Sequence, residues 1–155
     1  MTARAFTLPE LLIAVAIIGV TLAVGLPFLF EWRARESVRQ TATQFAVAVA
    51  QARADAKRLG TCVRVEATGG AYAQRFYPSV TCAGAPTRIR TFTPAPGTTV
   101  TTDPAFPNAR TGVTFRAPFG TTDAVPRQFV VASTRYARVR QVVRVTGVFG
   151  RAVLK

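Results

Sequence analysis

The sequence has no histidine, only two lysines and only seven acidic residues among its 155 positions. Without imidazole, Ser-His-Asp triads, histidine-ligated zinc sites and histidine proton shuttles are excluded. The acids are scattered, and the sequence shows no pair of carboxylates, no nucleophile beside a base and no glycine-rich nucleotide loop. The residues therefore predict a protein that is not an enzyme and that uses neither a cofactor nor a metal.

Arginine dominates what charge there is. The chain carries 20 cations, and its formal charge is +13. From Arg127 to the C-terminus there are seven cations and no acid. The hydrophobic fraction of 49% is normal for a folded domain, so the chain is not a disordered basic tail. This charge indicates an anionic partner, either a membrane surface or nucleic acid, unless the arginines are ordinary solvated surface.

The segment Leu11–Phe30 contains no charged residue. As a helix rising ~1.5 Å per residue it spans about 30 Å, the hydrocarbon thickness of a bilayer. Trp32 follows with Arg33 and Arg35, as an interfacial anchor would. Apolar residues surround the whole segment, which disfavours a soluble core helix. We predict a helix that contacts the membrane from Leu8 to Phe30.

Two features around this segment are unusual. Glu10 adds a carboxylate at its edge, which is unfavourable in an apolar environment unless it finds a partner. A small residue, Ala5, precedes the apolar run, whereas an ordinary secretory signal has its cleavage site after the run. The short basic leader and the order Ala5-Phe6-Thr7-Leu8-Pro9-Glu10 resemble the class III signal of type IV prepilins and type II secretion pseudopilins.

The resemblance implies how the N-terminus is processed and used. Prepilin peptidase would cleave between Ala5 and Phe6 at the cytoplasmic face, and Phe6 would then be N-methylated. In the filament core, Glu10 would pair with the freed amine of a neighbouring subunit's Phe6 and so set the register of assembly. Pro27 matches the recurrent proline at which the helices of this family kink or locally melt.

Helical periodicity continues beyond the membrane segment. Apolar residues recur at alternating spacings of four and three, which places them on one stripe. The stripe consists of Val38, Ala42, Phe45, Val49, Ala52, Ala56 and Leu59. Because Gly60 supplies a stop signal, we predict a helix from Thr7 to Leu59 whose second half packs on a sheet.

From Thr61 onward, short β-type runs are separated by glycine and proline. The predicted strands are 62–67, 71–77, 88–93, 98–102, 112–116, 128–133, 138–145 and 148–154, with a hairpin turn at Gly69-Gly70 and loops at 94–110 and 118–126. The predicted fold class is α+β, with a long N-terminal helix packed on an antiparallel β domain. The predicted segments are a leader (1–5), a transmembrane or filament-core helix (6–30), its amphipathic continuation (31–60) and the β domain (61–155).

Three segments of the β domain and its approach resemble the GspH/FimT group of minor pilins. They are QARADAKRLGTCVRV (Gln51–Val65), GVTFRAPFG (Gly112–Gly120) and VRVTGVFGRAVLK (Val143–Lys155). The resemblance implies a helix against two antiparallel sheets and a single-pass inner-membrane protein with its β domain outside the cytoplasm. It also implies other pilin or pseudopilin subunits as partners in a pilus or pseudopilus.

Cys62 and Cys82 are the only cysteines. Outside the cytoplasm the compartment permits a disulfide. A disulfide that closes a loop of about 20 residues would stabilise the folded protein by ~3 kcal/mol. Two free thiols are the alternative. No histidine or acidic cluster accompanies the pair, so a metal site is not indicated.

The C-terminal arginines are the candidate ligand-binding residues. Alternation in a strand over 138–145 places Arg138, Arg140 and Arg144 on one face, with Arg135 before it and Arg151 after it. Guanidiniums at this spacing suit the phosphates of a DNA backbone. The alternative is the solvated face of an edge strand, where arginine discourages aggregation.

The resemblance adds to this DNA hypothesis. Some FimT-like minor pilins bind DNA during natural transformation through a C-terminal Gly-Arg-x-Arg motif. Here Gly150-Arg151-Ala152-Val153 keeps the glycine and the first arginine, and Lys155 lies two residues beyond the missing second arginine. The functions left open are a type IV minor pilin that binds double-stranded DNA without sequence preference, a GspH-like type II secretion pseudopilin with no DNA role, and an anchored adhesin-like module.

Overall fold

The computed structural model describes residues 8–103, 112–122 and 127–154. The chain forms two units, one ending at Arg33 and the other beginning at Ala34. Helix α1 (Leu8–Leu59) contributes to both. The predicted processing residues Ala5 and Phe6, and the C-terminal Lys155, lie outside the described residues.

The described part of the first unit is the apolar half of α1. Every residue from Leu8 to Phe30 is exposed, and the segment is long and apolar enough to cross a membrane. The Thr21 hydroxyl donates to the Ile17 and Ile18 carbonyls at 3.0 and 2.9 Å, so this polar group is satisfied within the helix, as a hydrocarbon environment requires.

Two residues of this half carry assembly predictions. Glu10 is exposed in the first turn of α1, where the helix dipole favours a carboxylate. The helix continues without a break through Pro27. The predicted roles of both residues in a filament stay predictions.

In the described residues, the second unit contains eight strands that follow the helix. They are β1 (Cys62–Thr68), β2 (Ala71–Tyr77), β3 (Arg88–Phe92), β4 (Thr98–Thr102), β5 (Gly112–Arg116), β6 (Arg127–Ser133), β7 (Arg140–Thr146) and β8 (Arg151–Leu154). They form two four-stranded antiparallel sheets, sheet A in the order β3-β2-β1-β5 and sheet B in the order β4-β6-β7-β8. The predicted α+β fold with two antiparallel sheets is confirmed.

The second half of α1 packs against the inner faces of both sheets. The Phe45 ring lies 5.1 Å from that of Tyr72 in sheet A and 4.8 Å from that of Phe129 in sheet B, measured between centroids. Buried Gln74 of β2 donates from Nε2 to the Ala48 carbonyl at 2.8 Å. Burial raises the pKa of the Tyr72 phenol above its ordinary value, so this group stays neutral in the core.

A polar cluster attaches the helix to the approach to β4. The Thr41 hydroxyl accepts a hydrogen bond from the Ala95 N–H at 3.1 Å and shares another with the Thr98 hydroxyl at 3.0 Å. Thr41 is fully buried, and these contacts satisfy its hydroxyl.

The predicted helical stripe is correct at six of its seven positions, and Leu59 is the exception because it is half exposed. The Thr61 N–H donates to the Ala56 carbonyl at 3.3 Å and closes the helix, which leaves Leu59 on the outside of the last turn. Thr41 and Ala48 are also buried. The buried face is wider than one stripe because it contacts two sheets rather than one.

The strand predictions differ from the structure chiefly near the C-terminus. Strand β7 begins at Arg140 rather than at 138, because the Val139 N–H donates to the Tyr136 carbonyl at 2.9 Å and forms a turn there. Strand β8 begins at Arg151 rather than at 148, since Gly147 and Gly150 adopt positive φ angles in the turn that precedes it.

The predicted disulfide between Cys62 and Cys82 is present, with the two Cα atoms 5.3 Å apart. Cys62 is the buried first residue of β1, and Cys82 lies in the β2–β3 connection. The bond therefore ties this connection to the start of sheet A.

Truncating the shared aromatic residue should destabilise the second unit. We expect Phe45→Ala to lower the free energy of unfolding by about 3–5 kcal/mol, because the cavity removes contacts with both sheets. Urea unfolding of a fragment from Ala34 to Lys155, which contains the whole described core, measures this loss. Val47→Ala, at an exposed neighbouring position, should change stability by less than about 0.5 kcal/mol. Equal losses in the two variants would contradict the central role of Phe45.

Candidate functional site

Three arginines share the outer face of sheet B, and we call them the terminal arginine face: Arg140, Arg144 and Arg151. Val143 and Val145 of β7 are buried in the core, so the alternating Arg140 and Arg144 point away from it. Arg151 of β8 pairs with Thr146, which places it diagonally across from Arg144 at about 7–8 Å.

This face differs from the outer face of sheet A in how its charge is compensated. Arg140 and Arg151 are exposed and form no salt bridge within the described residues, while Arg144 is half-buried. On sheet A, by contrast, Glu66 accepts contacts from Arg64 Nε at 3.2 Å and Arg75 Nε at 2.7 Å. The exposed cations of the terminal arginine face therefore remain available to an anionic ligand.

Two of the predicted ligand residues lie elsewhere. The predicted strand position of Arg138 is wrong: this residue is exposed in the turn between Tyr136 and Val139. Arg135 lies in the same β6–β7 connection, where its guanidinium sits 5.9 Å from the Tyr136 ring centroid. The structure thus brings three of the six predicted residues onto one face. Arg135 and Arg138 precede the first residue of β7, Arg140. Lys155 lies outside the described residues.

An acidic residue borders the terminal arginine face. Gln128 of β6 pairs with Arg144 and donates from Nε2 to Asp103 Oδ2 at 3.0 Å. Asp103 lies directly after β4, as the sequence pattern predicts, and the pairing of β4 with β6 places it beside Gln128. Its negative charge limits the positive potential to the β7–β8 side of sheet B.

Gly150 has a structural reason to be glycine. Its φ is +58°, and a Cβ atom there would lie 2.5 Å from Phe115 Cε1 of sheet A. The glycine of the Gly150-Arg151 pair is therefore required for the packing of the β7–β8 turn. The match to the Gly-Arg motif at Gly150 is therefore explained by packing and is not by itself evidence that this position binds a ligand.

A groove of about 610 Å³ lies between α1 and the β7–β8 hairpin. Ala46, Ala50 and Arg53 line it from the helix, and the opposite wall is the segment from Thr146 to Ala152. The Arg53 guanidinium carbon lies 5.0 Å from the Phe149 ring centroid. Sequence reasoning missed this groove, although the spacing of four and three from Ala46 to Arg53 indicates a second helical stripe of small residues.

The residues available for metal binding do not form a site in the described part of the chain. There, no three histidine, cysteine, aspartate or glutamate side chains lie together. Both cysteines form the disulfide.

An apolar N-terminal helix that continues into an amphipathic half packed on two antiparallel sheets defines a pilin-like subunit. The family model of the type II transport protein GspH matches residues 41–147, and that of the prokaryotic N-terminal methylation motif matches residues 1–26. The chain belongs to the GspH family. It is a minor pilin or pseudopilin, and its methylation motif and apolar helix fit a membrane-anchored subunit of a family of structural, non-enzymatic proteins.

Solved structures show the same fold. The type IV minor pilin FimU of Pseudomonas aeruginosa matches in one crystal form with a TM-score of 0.58 and 18% identity, over 78% of this chain and 90% of that one. A second crystal form of FimU matches with a TM-score of 0.53 and 16% identity, over 76% of this chain and 91% of that one. No curated protein matches the chain in sequence.

Substitutions at the two glycines of the β7–β8 turn should distinguish the cost of a positive φ angle from the cost of a steric clash. Gly147 has φ +74° with open space at its Cβ position, whereas Gly150 combines positive φ with the contact to Phe115. We expect Gly147→Ala to destabilise the Ala34–Lys155 fragment by about 1 kcal/mol and Gly150→Ala by about 2–4 kcal/mol. Thermal unfolding measures the loss of Tm in each variant. Equal losses in the two variants would show that the close approach of Gly150 to Phe115 does not affect stability.

Proposed function

We propose that this protein is a minor pilin of a type IV pilus that binds double-stranded DNA without sequence preference during uptake for natural transformation. The observation that carries this proposal is the terminal arginine face, where exposed Arg140 and Arg151 and half-buried Arg144 lie on one side of a hairpin whose other side is the core. The alternative is a GspH-like pseudopilin of a type II secretion system in which this face has no DNA role.

The spacing of the terminal arginine face suits a phosphate backbone. Arg140 and Arg144 lie four residues apart on β7, a distance of about 13 Å, and Arg151 lies about 7–8 Å from Arg144 on the neighbouring strand. Each guanidinium can fork onto phosphate oxygens. Contacts of this kind position DNA but do not read its bases, which fits uptake of any sequence.

The proposed route to the filament begins at the N-terminus. Prepilin peptidase cleaves after Ala5, Phe6 is N-methylated, and the helix is held in the membrane by Leu8 to Phe30 before assembly. The β domain then lies outside the cytoplasm, and Glu10 pairs with the Phe6 amine of a neighbouring subunit in the filament core. The apolar, fully exposed first half of α1 and the methylation motif support this route.

Salt dependence tests the DNA proposal directly. If Arg135, Arg138 and the terminal arginine face contact five phosphates, log K for the Ala34–Lys155 fragment and duplex DNA should fall against log salt with a slope of about −4.5. Replacing Arg140, Arg144 and Arg151 by alanine should make that slope shallower by about 2.7, because three phosphate contacts are lost. Fluorescence anisotropy with duplexes of unrelated sequence measures both slopes.

A matched control removes the same charge from the sheet A side. Arg58, Arg88 and Arg90 lie on α1 and β3, and Asp55 already contacts Arg58 and Arg90 at 3.3 and 4.0 Å. Replacing these three by alanine should leave most of the slope intact. No binding at low salt would exclude the DNA proposal and favour the secretion alternative, and equal effects of the two triple variants would show that only net charge matters.

Assembly is tested separately through Glu10. In the full-length chain, we expect Glu10→Ala to be cleaved by prepilin peptidase but lost from the filament fraction sheared from cells, since its partner amine would be left unpaired in the core. Immunoblots of the membrane and sheared fractions measure this distribution. Glu36→Ala removes an acid from the second unit and should leave it unchanged; normal assembly of Glu10→Ala would contradict the proposed pairing.

A further inference from the structure

The groove between α1 and the β7–β8 hairpin combines an exposed aromatic ring with cations. Phe149 is 58% exposed although it lies in a well-packed turn. Arg53 extends from the helix with its guanidinium carbon 5.0 Å from the Phe149 ring centroid, and Arg151 lines the same groove.

The Arg53 side chain lies between the Gly120 loop and the Phe149 ring. A Cβ atom at Gly120 would lie 2.8 Å from Arg53 Cγ, so the loop backbone passes directly over the stem of the arginine. Its Nε atom is buried and has no hydrogen-bond partner in the described part of the chain. The turn and the loop that carry Phe149 and Gly120 are joined by a 2.8 Å bond from the Thr122 N–H to the Val148 carbonyl.

The chemistry of the lining defines the ligand. Guanidiniums only donate hydrogen bonds, and none of the described residues that line the groove is acidic, so these residues favour a ligand with an anionic acceptor. Small residues line both walls of the groove, among them Ala46, Ala50 and Ala152. Its volume of about 610 Å³ lies within the range of about 300–1,000 Å³ that small-ligand sites occupy. An unpaired nucleotide supplies both the phosphate and a flat aromatic base.

We infer that this groove binds an unpaired nucleotide of a DNA strand, with the base stacked at Phe149 and the phosphate held by Arg53. The inference rests on the proposed DNA-binding function and extends it from duplex to single-stranded ends. Arg151 connects the two surfaces, because its pairing with Thr146 places it diagonal to Arg144 and it also lines the groove. A duplex on the terminal arginine face can thus extend an unpaired end into the groove.

The test compares a single strand with a duplex on the full-length chain in detergent micelles. The probes are a fluorescent oligothymidylate of about 12 nucleotides, within the range of site sizes of single-strand binding proteins, and a duplex of equal length. Phe149→Leu keeps an apolar side chain but removes the ring. We expect it to weaken single-strand binding about tenfold, since stacking of a base on an aromatic ring is lost, and to change duplex affinity less than twofold.

Two further variants keep the test decisive. Phe119→Leu removes another exposed ring that does not line the groove, and it should alter neither affinity. Arg53→Lys keeps the charge but loses the planar fork, and it should also weaken single-strand binding selectively, which covers the case in which Phe149→Leu fails to fold.

The outcomes separate the groove from the outer face. Unchanged single-strand affinity in Phe149→Leu and Arg53→Lys, or equal losses for both probes, would overturn the groove while leaving duplex binding by the terminal arginine face intact. Single-strand binding that depends on Phe149 without any duplex binding would support the groove and contradict the proposed duplex function. Binding of neither probe would overturn both.

Discussion

The Phe45 ring lies between one aromatic residue of each sheet, and the second unit depends on this contact. Because Tyr72 and Phe129 both pack against it, one face of α1 provides the apolar core for sheet A and sheet B together. Buried polar contacts from Gln74 and Thr41 fix where the helix lies against the strands. With both inner faces packed against the helix, most charged residues of the described part lie on the outer faces, in the loops and on the exposed side of α1. The exceptions are Arg127, which is buried at the start of β6, and Arg88 and Arg90, whose guanidiniums lie over the Phe76 ring.

Local patterns accounted for most of the secondary structure. The change from a helical to an alternating period placed α1 and six of the strands close to their observed bounds, and paired glycines identified the β1–β2 turn. The pattern failed at Arg138 because buried Val139 continues the alternation of β7 backward into a turn that contains neither glycine nor proline. A buried residue just outside a strand cannot be told from one inside it by periodicity alone.

Less of the candidate site could be predicted from the sequence, because the site is formed by contacts between segments that are far apart in the chain. Strand β5 lies beside β1 rather than beside its neighbours in sequence, and Phe115 thereby meets Gly150. Likewise, Arg53 and Phe149 are nearly a hundred residues apart in the chain but share one groove. The alternation within β7 was sufficient to place Arg140 and Arg144 on one face, whereas Asp103 joined that face only through the pairing of β4 with β6.

The β7–β8 hairpin has a consequence for how this family can diversify. Strand β8 is the edge strand of sheet B, and the side chains on its outer face contribute nothing to the described core. Single substitutions there add or remove positive charge at little expense in stability, whereas Gly150, one residue away, is constrained by Phe115. The surface charge of this edge strand can therefore change by single substitutions while the packing of the fold is retained.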